Sequence, residues 1–107
     1  MMKYRSDRYG KQISQLGYGC MRFTRKGAAI DYEKAEREVL LAMEQGVNYF
    51  DTAYIYPGSE ELIGRIFDEN KCRDKVYLAT KLPQYIMRSA AAVDKTFHEE
   101  LSRLRTD

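Results

Sequence analysis

A unit of about thirty residues recurs three times along the chain, and nothing else in the sequence narrows the fold as much. Each unit is a short apolar segment followed by a helical pattern. Leu16-Gly17-Tyr18-Gly19-Cys20 reads as a short, glycine-rich strand, Val47-Asn48-Tyr49-Phe50 as a buried strand ending at Asp51, and Val76-Tyr77-Leu78-Ala79-Thr80 as a third ending at Lys81. After the first, Asp31 is placed to cap a helix, Ala35, Val39, Ala42 and Met43 recur at helical spacing, and Gly46 stands where a terminating glycine belongs. After the second, Ser59 is the expected cap. Glu60 and Glu61 would lie at the positive end of the helix dipole, and Leu62, Ile63, Ile66 and Phe67 would form the buried face. After the third, Pro83 stops the strand ladder, and a helix from near Ser89 carries Val93, Phe97, Leu101 and Leu104 as one apolar stripe. Helical crossovers let successive strands lie parallel, so the expected class is α/β. Units of this length suit a (β/α)8 barrel or a doubly wound sheet, and periodicity does not choose between them. Ahead of the units, Lys3–Ser6 and Lys11–Ser14 flank Asp7-Arg8-Tyr9-Gly10 and predict a hairpin over 3–14.

At 107 residues the chain is one domain's worth of sequence. Its formal charge of +2 is too small to make nucleic acid the main partner. Charge is uneven, however: residues 1–26 hold seven Lys and Arg against the single acid Asp7. Such a segment suits an anion, for example a phosphorylated cofactor, or simply a solvated surface. No apolar run approaches the ~20 residues of a membrane span, and the first residues are charged rather than signal-like. Cys20 and Cys72 have neither a CxxC partner nor a His at metal spacing, so reduced thiols, no metal site and a cytoplasmic location are expected.

In parallel α/β folds, functional groups gather at the C-terminal ends of the strands. Here those ends carry Met21-Arg22, Asp51 and Lys81, with Tyr54 and Tyr56 on the loop after the second strand. A phenol titrates near pH ~10 and is a weak acid at neutral pH unless its anion is stabilised. A neighbouring lysine favours the phenolate, and a carboxylate holds that lysine in place and charged. A tyrosine so placed can protonate a carbonyl oxygen as hydride reaches the carbon. Taken singly, each residue has a bland reading: an Asp before Thr-Ala caps a turn, a strand-end Lys is solvated, and one Tyr among nine packs.

The wording around these residues is more specific. Tyr49-Phe50-Asp51-Thr52-Ala53-Tyr54-Ile55-Tyr56 followed by Ser59-Glu60-Glu61-Leu62-Ile63-Gly64 resembles the aldo-keto reductase signature FDTAxxY…SExxxG. Leu16–Arg22, Glu44–Asn48, Val76–Pro83 and Phe97–Asp107 resemble the same family in the same order, covering nearly the whole chain. The resemblance implies a (β/α)8 TIM barrel, its bottom plugged by an N-terminal hairpin, that reduces aldehydes and ketones with NADPH or NADH. Tyr56 would be the general acid/base, Lys81 its activator, and Asp51 the partner of Lys81 beside the nicotinamide ribose. Gly19, Met21 and Arg22 would line the cofactor and substrate pocket, with Tyr54 as a further wall.

The family's fourth catalytic residue is a His after strand four, and the sequence ends before that strand. His98 lies in the third helix pattern and does not match it. A whole barrel takes roughly 250 residues. The expectation is therefore a truncated barrel: residues 1–107 as hairpin plus the first three βα units, with the oxidoreductase activity belonging to a longer parent. Alone, the chain would neither bind NADPH tightly nor turn over a small carbonyl substrate, and it would self-associate through unpaired strand edges. The stretch Ser59–Pro83 is also reminiscent of bacterial members with a C-terminal iron–sulfur domain, whose cluster ligands this sequence lacks. The competing expectations are a non-catalytic auxiliary or cofactor-sensing subunit of the same family, and a stand-alone α/β interaction module.

Overall fold

The computed structural model, which describes residues 1–107, turns the three units into a parallel sheet. Strands β1 (Tyr4–Ser6) and β2 (Gln12–Ser14) come first, as an antiparallel hairpin pairing Tyr4 with Ser14. Its turn closes because Gly10 takes a φ of 82°, and because the Asp7 carboxylate accepts from the backbone of Tyr9 and Lys11 at 2.8 and 2.9 Å. The hairpin is bound to the body by Asn48. That side chain accepts from Ser14 N at 2.8 Å and donates to Gln12 O at 2.9 Å, while Asn48 N donates to Ser14 Oγ at 3.1 Å.

Next come β3 (Tyr18–Gly19), β4 (Arg25–Lys26), β5 (Ala29–Ile30), α1 (Tyr32–Glu44), β6 (Tyr49–Asp51), α2 (Ser59–Glu69), β7 (Tyr77–Ala79) and α3 (Ala90–Leu104). β3, β6 and β7 form one parallel sheet in that order, with Tyr18 opposite Phe50, Gly19 opposite Asp51, and Asp51 opposite Ala79. The regular strands are shorter than the apolar segments that encode them. β4 and β5 form a second hairpin, turning at Gly27, where the sequence suggests only a loop.

Capping follows expectation at two helices. Asp31 accepts from Lys34 N at 3.2 Å, and Ser89 accepts from Ala92 N at 3.0 Å. α2 departs from it: the cap position is Gly58, at φ 75°, with no side-chain cap, and Ser59 is the first helical residue. Its hydroxyl is engaged elsewhere, donating to Cys20 O at 2.6 Å and lying 2.6 Å from Thr52 Oγ1. With the Ser59 hydrogen committed to the carbonyl, Thr52 is the donor between the two hydroxyls.

The core lies between the sheet and α1 and α2. Ala35 and Val39 of α1, Phe50 of β6, and Ile63, Ile66 and Phe67 of α2 are all buried. Phe50 meets Phe67 edge to face at 5.1 Å between ring centroids. Each of these side chains larger than alanine contributes about 1.5–3 kcal/mol by leaving water. α3 seats only its C-terminal half: Leu104 is buried, whereas Val93 and Phe97 are 40% and 45% exposed. The predicted apolar stripe therefore does not bury as a whole, because α3 rests on α2 through its last turns and nothing covers its beginning. The contact is intimate where it exists. A Cβ on Gly64 would lie 2.6 Å from the Leu104 carbonyl carbon, so the glycine lets the two helices touch backbone to backbone. No helix is long and apolar enough to cross a membrane.

Candidate active site

Two strand ends are stitched together beyond the regular sheet. Thr52 N donates to Ala79 O at 2.8 Å and Tyr54 N donates to Lys81 O at 3.1 Å, so the parallel pairing of β6 and β7 carries on into their loops. This continuation sets Lys81 beside Asp51. The Tyr56 loop then folds back in a tight turn, with Tyr56 N donating to Ala53 O and Ser59 N to Tyr56 O. Arg25 holds it from above, its guanidinium donating to Pro57 O at 2.8 Å, and Ile30 packs close over Gly58.

Asp51, Tyr56 and Lys81 meet at one rim. Lys81 Nζ donates to Asp51 Oδ2 at 2.6 Å, to Thr52 O at 2.8 Å and to Tyr56 Oη at 3.4 Å, using all three ammonium hydrogens. Partial burial works against its charge, but the hydrogen bonds to Asp51 and Tyr56 outweigh that and hold the Lys81 ammonium above its ordinary value. At neutral pH the lysine is charged, and its positive field points at the phenol oxygen.

Beside Tyr56 and Lys81 lies a hollow of about 200 Å³ walled by Ala53, Ile55, Leu82, Pro83 and Tyr85. An apolar recess next to a phenol hydroxyl is suited to the hydrocarbon part of a small molecule. Ile55 is its wall, and Tyr54 is not. Tyr54 turns to α3, where its hydroxyl donates to Glu99 at 3.0 Å and its ring lies under Arg103. The bond to Glu99 pushes its pKa up, so Tyr54 remains a neutral phenol.

The residues after β3 are more dispersed. Gly19 faces open space where a side chain would otherwise project, next to Asp51 across the sheet. Met21 is exposed, and Arg22 lines a separate hollow with Tyr18, Phe23 and Glu38. Neither touches the Asp51–Lys81–Tyr56 group. Cys20 sits directly beneath it, and burial first, then Asp51, pushes its thiol up to about 12, which leaves it protonated and unreactive. His98 is on the exposed face of α3, its Nδ1 2.8 Å from Asp94 O, the helix-surface position its sequence context predicts. No group of three or more His, Cys, Asp or Glu side chains is placed to hold a metal ion.

Sequence reasoning overlooked a second polar cluster, immediately behind Lys81. Glu60 and Glu100 are 0% and 1% exposed, and Thr80 Oγ1 lies 2.6 Å from the first and 3.3 Å from the second. Arg103 reaches Glu60 at 3.1 Å. Glu60 reads from sequence as a first-turn acid at the positive end of the helix dipole, and only the α2–α3 contact reveals that it is enclosed.

Residues 15–107 match the family model described as the aldo/keto reductase family. The chain belongs to that family. Among curated aldo-keto reductases, one from Gibberella moniliformis is 40% identical over 73 residues, which is 65% of this chain and 22% of that protein. Among solved structures, a Pseudomonas aeruginosa protein assigned to the aldo-keto reductases superposes with a TM-score of 0.80 at 29% identity, covering 97% of this chain and 43% of that one. A Bombyx mori aldo-keto reductase in complex with NADP gives a TM-score of 0.72 at 26% identity, over 97% of this chain and 34% of its own. The chain thus spans less than half the length of these aldo-keto reductases, and its fold is the mixed α/β arrangement of the corresponding part of their TIM barrels.

Proposed function

We propose that residues 1–107 form the N-terminal portion of an NADPH-dependent reductase of aldehydes or ketones, consisting of the hairpin and the first three βα units of a (β/α)8 barrel. The hairpin bound by Asn48 lies at the start of β6, opposite the rim, where a barrel's bottom would be closed. The observation that carries the functional reading is the Lys81 ammonium lodged between the Asp51 carboxylate and the Tyr56 phenol.

Tyr56 is the proton donor. Its hydrogen passes to the carbonyl oxygen, and the negative charge left on the phenol faces Lys81, which Asp51 and the Thr52 carbonyl hold in position. The Tyr56 proton is restored from solvent after the alcohol leaves. Bound NADPH supplies the hydride that reaches the carbonyl carbon, so one hydride and one proton convert the carbonyl to an alcohol. Around the nicotinamide end, the open space at Gly19 and the half-exposed Asp51 carboxylate fit a ribose hydroxyl donor, and Met21 and Arg22 are the further residues assigned to the cofactor side.

Tyr56→Phe tests this reading. In the natural protein that carries this segment, NADPH oxidation by aldehydes and ketones should fall by roughly 10²–10⁴-fold while the fold is retained. An unchanged rate in the variant, or no carbonyl-dependent NADPH oxidation by the parent, overturns it.

A further inference from the structure

One hydroxyl hydrogen cannot serve two carboxylates. Thr80 Oγ1 is 2.6 Å from Glu60 Oε2 and 3.3 Å from Glu100 Oε2, and both glutamates are shut away from solvent. The hydroxyl hydrogen goes to the nearer oxygen, that of Glu60. The Glu100 contact is then a hydrogen bond only if Glu100 itself carries a hydrogen and donates to the threonine oxygen or to Glu60.

The surrounding charges give the same answer. From α2, Glu60 and Glu61 face the cluster. From α3 come Glu99, Glu100 and Arg103, and from the loops Tyr54 and Thr80. Arg103 is the only cation, and it already lies 3.1 Å from Glu60, 3.3 Å from Glu99 and 3.7 Å from Glu61. Glu100 has no ion-pair partner of its own. A second buried negative charge beside Glu60 would stand uncompensated, which is among the most costly arrangements in a protein interior.

We propose that Glu60 and Glu100 share a single proton and, through Thr80, act as a protonation-dependent clamp that positions Lys81. Thr80 precedes Lys81 in the chain, so fixing its hydroxyl fixes the backbone from which the lysine side chain departs. Glu60 belongs to α2 and Glu100 to α3, so the clamp draws both helices onto the end of β7. Glu100 is a positioning residue, one step removed from the Lys81–Tyr56 contact. Its pKa is pushed up to about 7 in the same direction, by burial first and then by Glu60. The site role of Lys81 rests on the reductase reading; the shared proton does not.

Two measurements on the natural protein that carries this segment test the clamp without any turnover. The first is a carbon-13 titration of the glutamate carboxyls. Glu100 is expected to take up its proton near pH 7, and a midpoint in the ordinary carboxylate range overturns the proposal. The second is amide exchange at Tyr54, whose N–H is donated to the Lys81 carbonyl. After correction for the intrinsic pH dependence of exchange, protection there should drop by about tenfold between pH 5.5 and 8 in the wild type. In Glu100→Gln, a neutral donor at every pH, protection should stay high throughout. A wild type that shows no such drop, or a variant that shows the same one, overturns the proposal. A lost reductase rate in Tyr56→Phe leaves both readouts where they were, so the two ideas fail separately.

Discussion

Ser59 shows how much one side chain can carry in this chain. Its hydroxyl joins three segments, the turn after β3 through Cys20 O, the loop after β6 through Thr52, and the first turn of α2. Replacing it with Ala strands a buried hydroxyl and a carbonyl, so Ser59→Ala should cost about 1–3 kcal/mol in urea unfolding. A variant within a few tenths of a kcal/mol of wild type would show that the two groups find other partners. Spacing alone suggested a helix cap for this residue, a sensible reading of Ser ahead of two acids. What it could not convey is that Gly58, at positive φ, already ends the loop and frees the hydroxyl for tertiary bonds. The Asp51–Tyr56–Lys81 group was more legible. Strand ends are set by short-range pattern, and the pattern placed all three on one side. Glu60 and Glu100 were illegible for the opposite reason: forty residues separate them, and their burial depends on how two helices meet.

Helices α2 and α3 meet at Gly64. An added methyl there encounters the backbone of Arg103 and Leu104, and backbone cannot rotate out of the way. Alanine would gain about 1 kcal/mol of helix propensity, while overpacking of this kind costs typically 1–3 kcal/mol. Because the obstructing atoms belong to α3 itself, the second effect should win. Gly64→Ala is expected to lower stability by up to about 2 kcal/mol in denaturant unfolding, and higher stability would mean that α3 shifts freely. The helices themselves were easy to anticipate, since Asp31 and Ser89 cap where their chemistry places them. The small β4–β5 hairpin was not, because two-residue strands have no periodicity to read. The N-terminal half of α3 misled in another way: Val93 and Phe97 have helical spacing, but only a neighbour can bury them.

At the scale of the whole chain, the sheet order β3-β6-β7 leaves β3 and β7 each paired on one side only. Together with the exposed Val93 and Phe97, these edges offer unpaired backbone and apolar surface. Sedimentation of the 107-residue polypeptide should accordingly show association that grows with concentration, whereas a clean monomer at high concentration would show that the edges are protected. The three-fold βα recurrence was plain from the sequence, but the choice of a barrel rather than a doubly wound sheet came only with the motif wording, because both architectures repeat the same local unit.

The bonds from Asn48 to Ser14 and Gln12 have a wider meaning. They moor the hairpin to the sheet three residues upstream of Asp51, at the opposite end of β6 from the rim where Asp51, Tyr56 and Lys81 meet. Hairpin and rim are thus secured by separate sets of bonds, so cutting the Asn48 mooring would leave the contacts of Lys81 with Asp51 and Tyr56 in place.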